Sequence, residues 1–143
     1  MQIIVGSDHG GFALKEEIVE YLNSKGYSVI NAGTHSLDSC DYPVIARAVA
    51  SKVLEASDRK GILICGTGIG ISIAANKVKG IRAALCSDTY SARMSVQHNN
   101  SNILCLGARV VASALAFDII DAWLNATFEA GRHQRRVDMI EDL

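Results

Sequence analysis

Residues 61–76 have the sequence GILICGTGIGISIAAN. The first five of these residues carry no charge, and their apolar run predicts a short strand that is buried on both faces. From Gly68 onward, small and apolar residues recur at helical spacing, which predicts a helix that ends at about Lys77. Between strand and helix, Cys65 is followed by three glycines in five positions. Glycines permit positive φ angles and a close approach of a ligand to the main chain, so this turn is a candidate anion site.

The chemistry of Cys65 depends on what surrounds this turn. Free N–H groups at the start of the following helix would favour its thiolate over its thiol. A tight turn with a buried, inert cysteine is the plainer interpretation, and the turn alone leaves both open. A dinucleotide-binding turn is a third interpretation, because Asp88 lies near the position of a ribose-binding acid. The G-x-G-x-G spacing and the expectation of only one domain disfavour it, and the missing G-K-[ST] excludes a P-loop.

The composition indicates a compact domain. The chain has 143 residues, of which 49% are hydrophobic and one is proline, and its formal net charge is −1. We expect a single domain over residues 1–143, with no binding of nucleic acid or membrane. Residues 1–8 lack a basic region, so we expect neither a signal peptide nor an anchor. The four cysteines form no C-x-x-C pair and no zinc-like spacing, which predicts a reducing cytoplasm and no metal site.

Apolar runs alternate with amphipathic segments five times along the chain. The predicted strands are residues 2–6, 27–30, 61–65, 80–86 and 103–107. Helices are predicted between them and after the last, which indicates a parallel sheet covered by helices on both faces. Ligands bind beyond the carboxyl ends of such strands, so we expect polar loop residues to gather at that edge. They are Asp8, His9, Asp41, Tyr42, residues 65–70, Asp88 and Arg109.

Two histidines join this set of candidate residues. His98 lies between a predicted helix and a strand, and His9 follows the first strand. Either one alone is more often a solvated cap or a packed turn residue. Together with Cys65 at loop positions of one sheet, they favour a shared acid–base site. The sequence leaves open whether His98 reaches Cys65 within the same subunit.

The basic tail, residues 131–136, offers a candidate phosphate clamp. Arg132 and Arg136 share a helix face because they are four residues apart, and His133 and Arg135 are expected to point elsewhere. Basic runs are usually solvated surface. Placed against an anion-binding turn, however, this pair resembles a guanidinium clamp.

Five segments together resemble the RpiB/LacAB family of sugar-phosphate isomerases. They are SDHGG (7–11), DYP (41–43), CGTGIGIS (65–72), QHN (97–99) and GRHQRR (131–136). They match in order over essentially the whole chain. The resemblance implies a Rossmann-like three-layer αβα sandwich with a five-stranded parallel sheet. It also implies interconversion of ribose 5-phosphate and ribulose 5-phosphate without metal or cofactor, by dimers or tetramers with sites shared between subunits.

The resemblance also assigns roles to individual residues. It implies Cys65 as the base that removes the C2 proton and His98 as the acid in ring opening. Thr67, two positions after the cysteine, is expected to relay a hydroxyl proton between O1 and O2. Main-chain N–H groups of the turn would stabilise the enediolate oxygen by roughly 3–4 kcal/mol per good donor. The expected substrate contacts are Asp8, His9, Asp41, Tyr42, Gly66, Gly68, Ile69, Gly70, Asn99, Arg109, Arg132 and Arg136.

Assembly and substrate length complete the expectations. A chain this small offers one shallow sheet edge, so we expect at least a homodimer in which His98 completes the site of a partner subunit. Two alternatives stay open. One is an isomerase of a six-carbon sugar phosphate, such as galactose 6-phosphate or allose 6-phosphate. The other is a non-catalytic subunit that binds a sugar phosphate.

Overall fold

The computed structural model describes residues 1–143, and its five strands form one sheet. The strands are β1 (Gln2–Ser7), β2 (Ser28–Asn31), β3 (Arg59–Cys65), β4 (Ala83–Leu85) and β5 (Ile103–Gly107). They pair in parallel in the order β2-β1-β3-β5-β4. β3 is therefore central, with Leu63 paired to Gly6 on one side and to Cys105 on the other. This position explains why the run preceding the glycine turn carries no charge.

Six helices accompany the sheet. They are α1 (Phe12–Ser24), α2 (Tyr42–Leu54), α3 (Ile69–Ala75), α4 (Thr89–Gln97), α5 (Ser113–Leu124) and α6 (Arg132–Glu141). Alternate side chains of β3 enter opposite cores: Ile62 and Ile64 pack with α1, α4 and α5, while Leu63 and Cys65 pack with α2 and α3. The predicted Rossmann-like three-layer αβα sandwich with a five-stranded parallel sheet is thereby confirmed.

Two elements are shorter than the sequence predicts, and Asn76 links the end of one to the start of the other. α3 ends at Ala75 instead of about Lys77, and β4 is limited to Ala83–Leu85. The Asn76 side chain accepts a hydrogen bond from the N–H of Ala83 at 2.8 Å and donates one to its carbonyl oxygen at 2.9 Å. Asn76 thus caps the carboxyl end of α3, and its side chain pairs with the first residue of the edge strand.

The parallel direction of the strands defines two edges of the sheet. At the carboxyl edge the strands end, and at the amino edge they begin. α4 starts after the carboxyl end of β4 and returns the chain to the amino end of β5, so His98, which caps the end of α4, lies at the amino edge. None of the six helices combines the length and apolarity needed to cross a bilayer.

Candidate active site

Cys65 is the last residue of β3 and lies at the carboxyl edge. Its side chain is buried, with 5% exposure, and Sγ accepts a hydrogen bond from the N–H of Gly68 at 3.0 Å. A main-chain donor aimed at sulfur stabilises a thiolate more than a thiol. The exposed hydroxyl of Thr67 accepts from the N–H of Ile69 at 3.2 Å. The turn therefore combines a buried sulfur that accepts a main-chain hydrogen bond with an accessible hydroxyl two residues away.

Two glycines fix the shape of this turn. Gly68 has φ +78°, and a Cβ added there would come within 2.9 Å of the backbone carbon of Leu106. A Cβ at Gly107 would lie 2.6 Å from the carbonyl oxygen of Thr67. The backbone of the turn thus rests directly on the end of β5, at distances that no other residue type permits. This close packing holds the Gly68 N–H in place beside the sulfur.

Arg109 lies over the same turn. Its N–H donates to the carbonyl oxygen of Gly66 at 3.0 Å, and Nη1 would be only 3.0 Å from a Cβ at Gly66. The residue is exposed, so its guanidinium group is available to an anion in solution. The structure brings Arg109 to the carboxyl edge, where the sequence predicts it.

The turn after β1 brings Asp8 and His9 to this edge. Asp8 is 7% exposed, and its carboxylate accepts from the N–H of Gly11 at 3.1 Å, which caps the short 3-10 turn His9–Gly11. The Nδ1 atom of His9 accepts a hydrogen bond from the N–H of Cys40 at 3.2 Å. An accepting Nδ1 is unprotonated, so the neutral ring carries its proton on Nε2 and presents it as a donor.

A cavity of about 590 Å³ opens beside His9. Its lining residues are Asp8, His9, Ser39, Cys40, Asp41, Tyr42, Pro43 and Val44. The Tyr42 ring closes it towards the glycine turn, because a Cβ at Gly70 would lie 2.8 Å from the Tyr42 hydroxyl oxygen. The predicted residues of the irregular loop are therefore brought to the carboxyl edge. Cys40, which the sequence did not single out, joins them through its backbone contact with His9.

The other cysteines differ from Cys65 in their surroundings. Burial, and then the charge of Asp88, raises the pKa of the Cys86 thiol to about 11. Burial raises the pKa of Cys105 as well, with further contributions from Cys65 and Cys86. Both thiols stay protonated at neutral pH and pack as small apolar side chains. Asp88 itself caps α4 by accepting from the N–H of Ser91 at 2.6 Å, which disfavours a ribose-binding role.

At the amino edge, His98 stands in a cluster that the sequence did not predict. Its ring stacks on that of His133, with centroids 4.3 Å apart and an interplanar angle of 10°. Glu129 Oε1 lies 3.6 Å from Nε2 of His98 and 4.0 Å from Nε2 of His133. The pKa of His133 is lowered by partial burial, then by the neighbouring charges of His98 and Arg132. His133 thus joins His98, an association that the sequence analysis did not foresee.

A buried polar network holds the loop that carries His98. The hydroxyl groups of Ser95 and Ser101 are 2.8 Å apart, and the Trp123 indole N–H donates to Ser101 Oγ at 2.8 Å. Because all three side chains are buried, these bonds tie the loop to α4 and α5. Sequence analysis missed these residues, although a buried tryptophan N–H requires an acceptor.

The predicted site residues therefore fall into two groups. Cys65, Thr67 and the residues around the glycine turn lie at the carboxyl edge, whereas His98, Asn99, Arg132 and Arg136 lie at the amino edge. The five residues of β5 alone span about 16 Å at the rise of a strand. His98 consequently does not reach Cys65 within one chain. Asn99 lines a separate cavity of about 500 Å³ at the amino edge, together with Arg82 and Glu141.

Comparisons with known proteins agree with this architecture. Ribose-5-phosphate isomerase B of Escherichia coli (strain K12) is 55% identical over 139 residues, which cover 97% of this chain and 93% of that protein. The structure of Clostridium thermocellum ribose-5-phosphate isomerase B has a TM-score of 0.96 at 56% identity, covering 99% of this chain and 96% of that one. The Mycoplasma genitalium ribose-5-phosphate isomerase B structure contains bound ribulose-5-phosphate. It has a TM-score of 0.95 at 47% identity and covers 99% of this chain and 94% of that one.

A sequence model of one family covers nearly the whole chain. The model describes ribose/galactose isomerases and matches residues 3–140. The match includes the glycine turn after β3, the His98 loop and most of α6. The relatives above agree with it over almost their full lengths. The chain therefore belongs to the ribose/galactose isomerase family.

Proposed function

We propose that this protein is an aldose–ketose isomerase that interconverts ribose 5-phosphate and ribulose 5-phosphate through an enediolate. The observation that carries the proposal is the buried Cys65 sulfur, 3.0 Å from the Gly68 N–H at the carboxyl edge. Support comes from the family relatives, one of which holds ribulose-5-phosphate in its structure. Isomerisation needs a base beside a carbonyl group, and the glycine turn supplies both a base and N–H donors.

The proton transfers follow from this arrangement. The Cys65 thiolate removes the proton from C2 of the open-chain aldose, and the electrons of that bond form the enediolate, with negative charge on O1. The Thr67 hydroxyl then passes a proton from O2 to O1. Return of the first proton from the Cys65 thiol to C1 leaves a carbonyl group at C2, which is the ketose. N–H groups of the glycine turn stabilise the charged oxygen in between.

Phosphate binding is assigned to two groups of hydrogen-bond donors. At the carboxyl edge, His9 presents an Nε2–H donor and Arg109 an exposed guanidinium group. At the amino edge, Arg132 and Arg136 are exposed in α6, four residues apart, so they share one face. A planar guanidinium pair suits a phosphate better than a point charge does. We assign the clamp to Arg132 and Arg136, with His9 beside them in the assembled site.

The separation of the two edges supports a homodimer, or a tetramer built from such dimers. His98 serves as the acid in ring opening only if the amino edge of one subunit faces the carboxyl edge of its partner. Apolar surface is available for such contact next to the glycine turn. Ile69 and Ile73 are one helical turn apart in α3 and are 52% and 57% exposed. Exposed apolar neighbours at a half-built site favour an interface between subunits.

We further propose that residues 1–143 act as one domain in the cytoplasm. All four cysteines are free thiols, and three of them are buried, which suits a reducing compartment. The domain proposal is supported by the single sheet, whose two faces carry the two cores.

An assay of the purified protein with ribose 5-phosphate tests the proposal by following the appearance of ribulose 5-phosphate. Allose 6-phosphate and galactose 6-phosphate serve as parallel substrates in the same assay. We expect turnover with the five-carbon substrate, and preference for a six-carbon sugar would support the alternative isomerase. Binding without turnover of any substrate would instead support the non-catalytic subunit.

A further inference from the structure

His98, Glu129 and His133 form a group of potential metal ligands, here called the histidine–glutamate cluster. One ligand atom from each residue lies within 4.8 Å of the other two. Glu129 Oε1 is 3.6 Å from Nε2 of His98 and 4.0 Å from Nε2 of His133. Neither separation is a hydrogen bond, so both nitrogen atoms lie near one carboxylate oxygen without being bonded to it. A cation can bridge three such donor atoms.

The donor set selects the class of cation. Two imidazoles and one carboxylate are a common set of protein ligands for zinc, and they leave a fourth position for water. Imidazole suits zinc, copper, iron and nickel, whereas magnesium and calcium prefer oxygen ligands. Ligand atoms about 2.1 Å from a tetrahedral zinc ion are about 3.4 Å apart. The distances between the three ligand atoms therefore have to shorten, whereas the number and type of the ligands already fit zinc.

The surroundings of the cluster define what binding requires. The two rings stack nearly parallel, so one must turn before both in-plane lone pairs meet a single ion. The His98 side chain is 40% exposed and has solvent to turn into, whereas His133 is 12% exposed and stays in place. Arg132 and Arg136 add positive charge near His133 and weaken the attraction for a cation. The cluster consequently fits a reversible site better than a permanently loaded one.

We propose that the histidine–glutamate cluster binds a divalent transition-metal ion of the zinc class, and that the bound ion inhibits isomerisation by occupying His98. The inhibition rests on the proposed role of His98 in ring opening, whereas the binding does not. An imidazole nitrogen bound to a metal ion can neither donate nor accept a proton. The site makes the activity responsive to free metal, without any role for metal in the reaction itself.

Titration with cobalt(II) tests the binding directly. Cobalt held by imidazole and carboxylate absorbs weakly in the visible range, whereas a thiolate ligand adds an intense near-ultraviolet band that would reveal binding to Cys65. We expect one cobalt ion per chain without the thiolate band. His133→Ala should weaken binding at least about tenfold, and Glu129→Gln should weaken it as well. His35→Ala, which removes an exposed histidine outside the cluster, should bind as the wild type does.

The result that would overturn the metal site is equal affinity in the wild type, His133→Ala and Glu129→Gln, or binding through thiolate alone.

An isomerase assay with ribose 5-phosphate then tests the inhibition. Zinc should inhibit the wild type, a chelator should reverse the inhibition, and magnesium should have no effect. Glu129→Gln should need about tenfold more zinc. Metal binding without inhibition would contradict the regulatory part. An inactive wild type would contradict the proposed function instead, and the cobalt titration would still decide the metal site.

Discussion

The carboxyl edge and the amino edge of this sheet present their candidate residues in different ways. At the carboxyl edge the backbone shapes the site: Gly68 and Gly107 let the turn pack directly on β5, and the Gly68 N–H donates to Cys65. At the amino edge the candidate groups are side chains at helix ends and on an exposed helix, such as His98 and Arg132. The carboxyl edge thus holds its sulfur with the backbone, and the amino edge presents partly exposed side chains.

This difference indicates a division of labour. Removal of a proton from carbon requires a base and N–H donors held within narrow geometric limits, which a backbone turn provides. Ring opening and phosphate binding depend on charged, longer side chains, which tolerate more movement. If the two edges meet between subunits, one chain supplies the residues that need exact geometry. Its partner supplies the charged side chains that tolerate more movement.

Removal of the base is the largest change that the comparison predicts. Cys65→Ala should abolish measurable isomerisation, a loss of about 10²–10⁴-fold in kcat, because the glycine turn holds no other base. Folding and binding of the sugar phosphate should persist, since the sulfur acts on the proton. Steady-state kinetics and calorimetric binding of ribose 5-phosphate measure both. Cys86→Ala is the matched control and should retain turnover, because the Cys86 thiol stays protonated. Near-normal turnover of Cys65→Ala would remove this residue from the role of base.

Mixing two inactive variants tests the division between edges. If each site takes Cys65 from one subunit and His98 from the other, Cys65→Ala and His98→Ala homodimers are both inactive. A mixed dimer then contains one site with both native residues. Equal mixing with free exchange should restore about a quarter of the wild-type activity, since half of the dimers have one working site of two. Activity after mixing, followed with sedimentation, provides the measurement. A mixture that stays inactive after exchange, or a fully active monomer, would contradict sharing of the site.

Removal of an arginine of the proposed phosphate clamp should have a smaller effect than removal of the base. Arg132→Ala should raise KM roughly 10-fold to 100-fold while kcat changes less, as expected for loss of a charge-assisted contact to phosphate. Arg132→Lys should not restore full affinity, because an ammonium group cannot form the planar two-pronged contact. Arg135→Ala is the control, since Arg135 is also exposed in α6 and is not assigned to the clamp.

Inhibition by inorganic phosphate checks the same assignment. It should compete with the substrate in the wild type and less effectively in Arg132→Ala. Equal inhibition of both proteins would transfer the phosphate clamp to Arg109 and His9.

A substitution that strains the backbone at Gly68 gives the smallest predicted effect. It distinguishes this turn from a glycine that has a similar φ but no close neighbours. Gly68→Ala should lower the free energy of unfolding by about 1–3 kcal/mol, because a Cβ at φ +78° would also collide with β5. Gly26→Ala is the matched control, with φ +86° and no heavy atom within 4 Å of the added Cβ. Urea denaturation of both variants measures the difference. Equal losses would mean that the contact with β5 carries no weight.

The sequence predicts the carboxyl edge well because its signals are local. An uncharged run, a cysteine and closely spaced glycines lie within residues 61–70, and the structure has a strand and a turn there. The fold class follows from the same kind of signal, repeated five times. The length of α3 escapes such reasoning, since Asn76 caps the helix while its side chain bonds to Ala83, seven residues away.

The amino edge is harder to predict because its contacts are distant in sequence. The Glu129 N–H donates to the carbonyl oxygen of Gln97 at 3.0 Å, which brings the segment before α6 against the end of α4. This contact helps to place Glu129 and His133 beside His98. No periodicity within residues 125–133 signals it, so the sequence identifies His98 but not its neighbours.

Trp123 makes the amino edge observable by intrinsic fluorescence. It is the only tryptophan of the chain and is fully buried, with its indole N–H bonded to Ser101 and the Lys60 ammonium group 4.7 Å from its ring. Its fluorescence therefore reports on the loop that carries His98, because any displacement of Ser101 changes the polarity around the indole. The protein contains its own spectroscopic probe of this edge, and substrate or subunit binding there can be followed without a label.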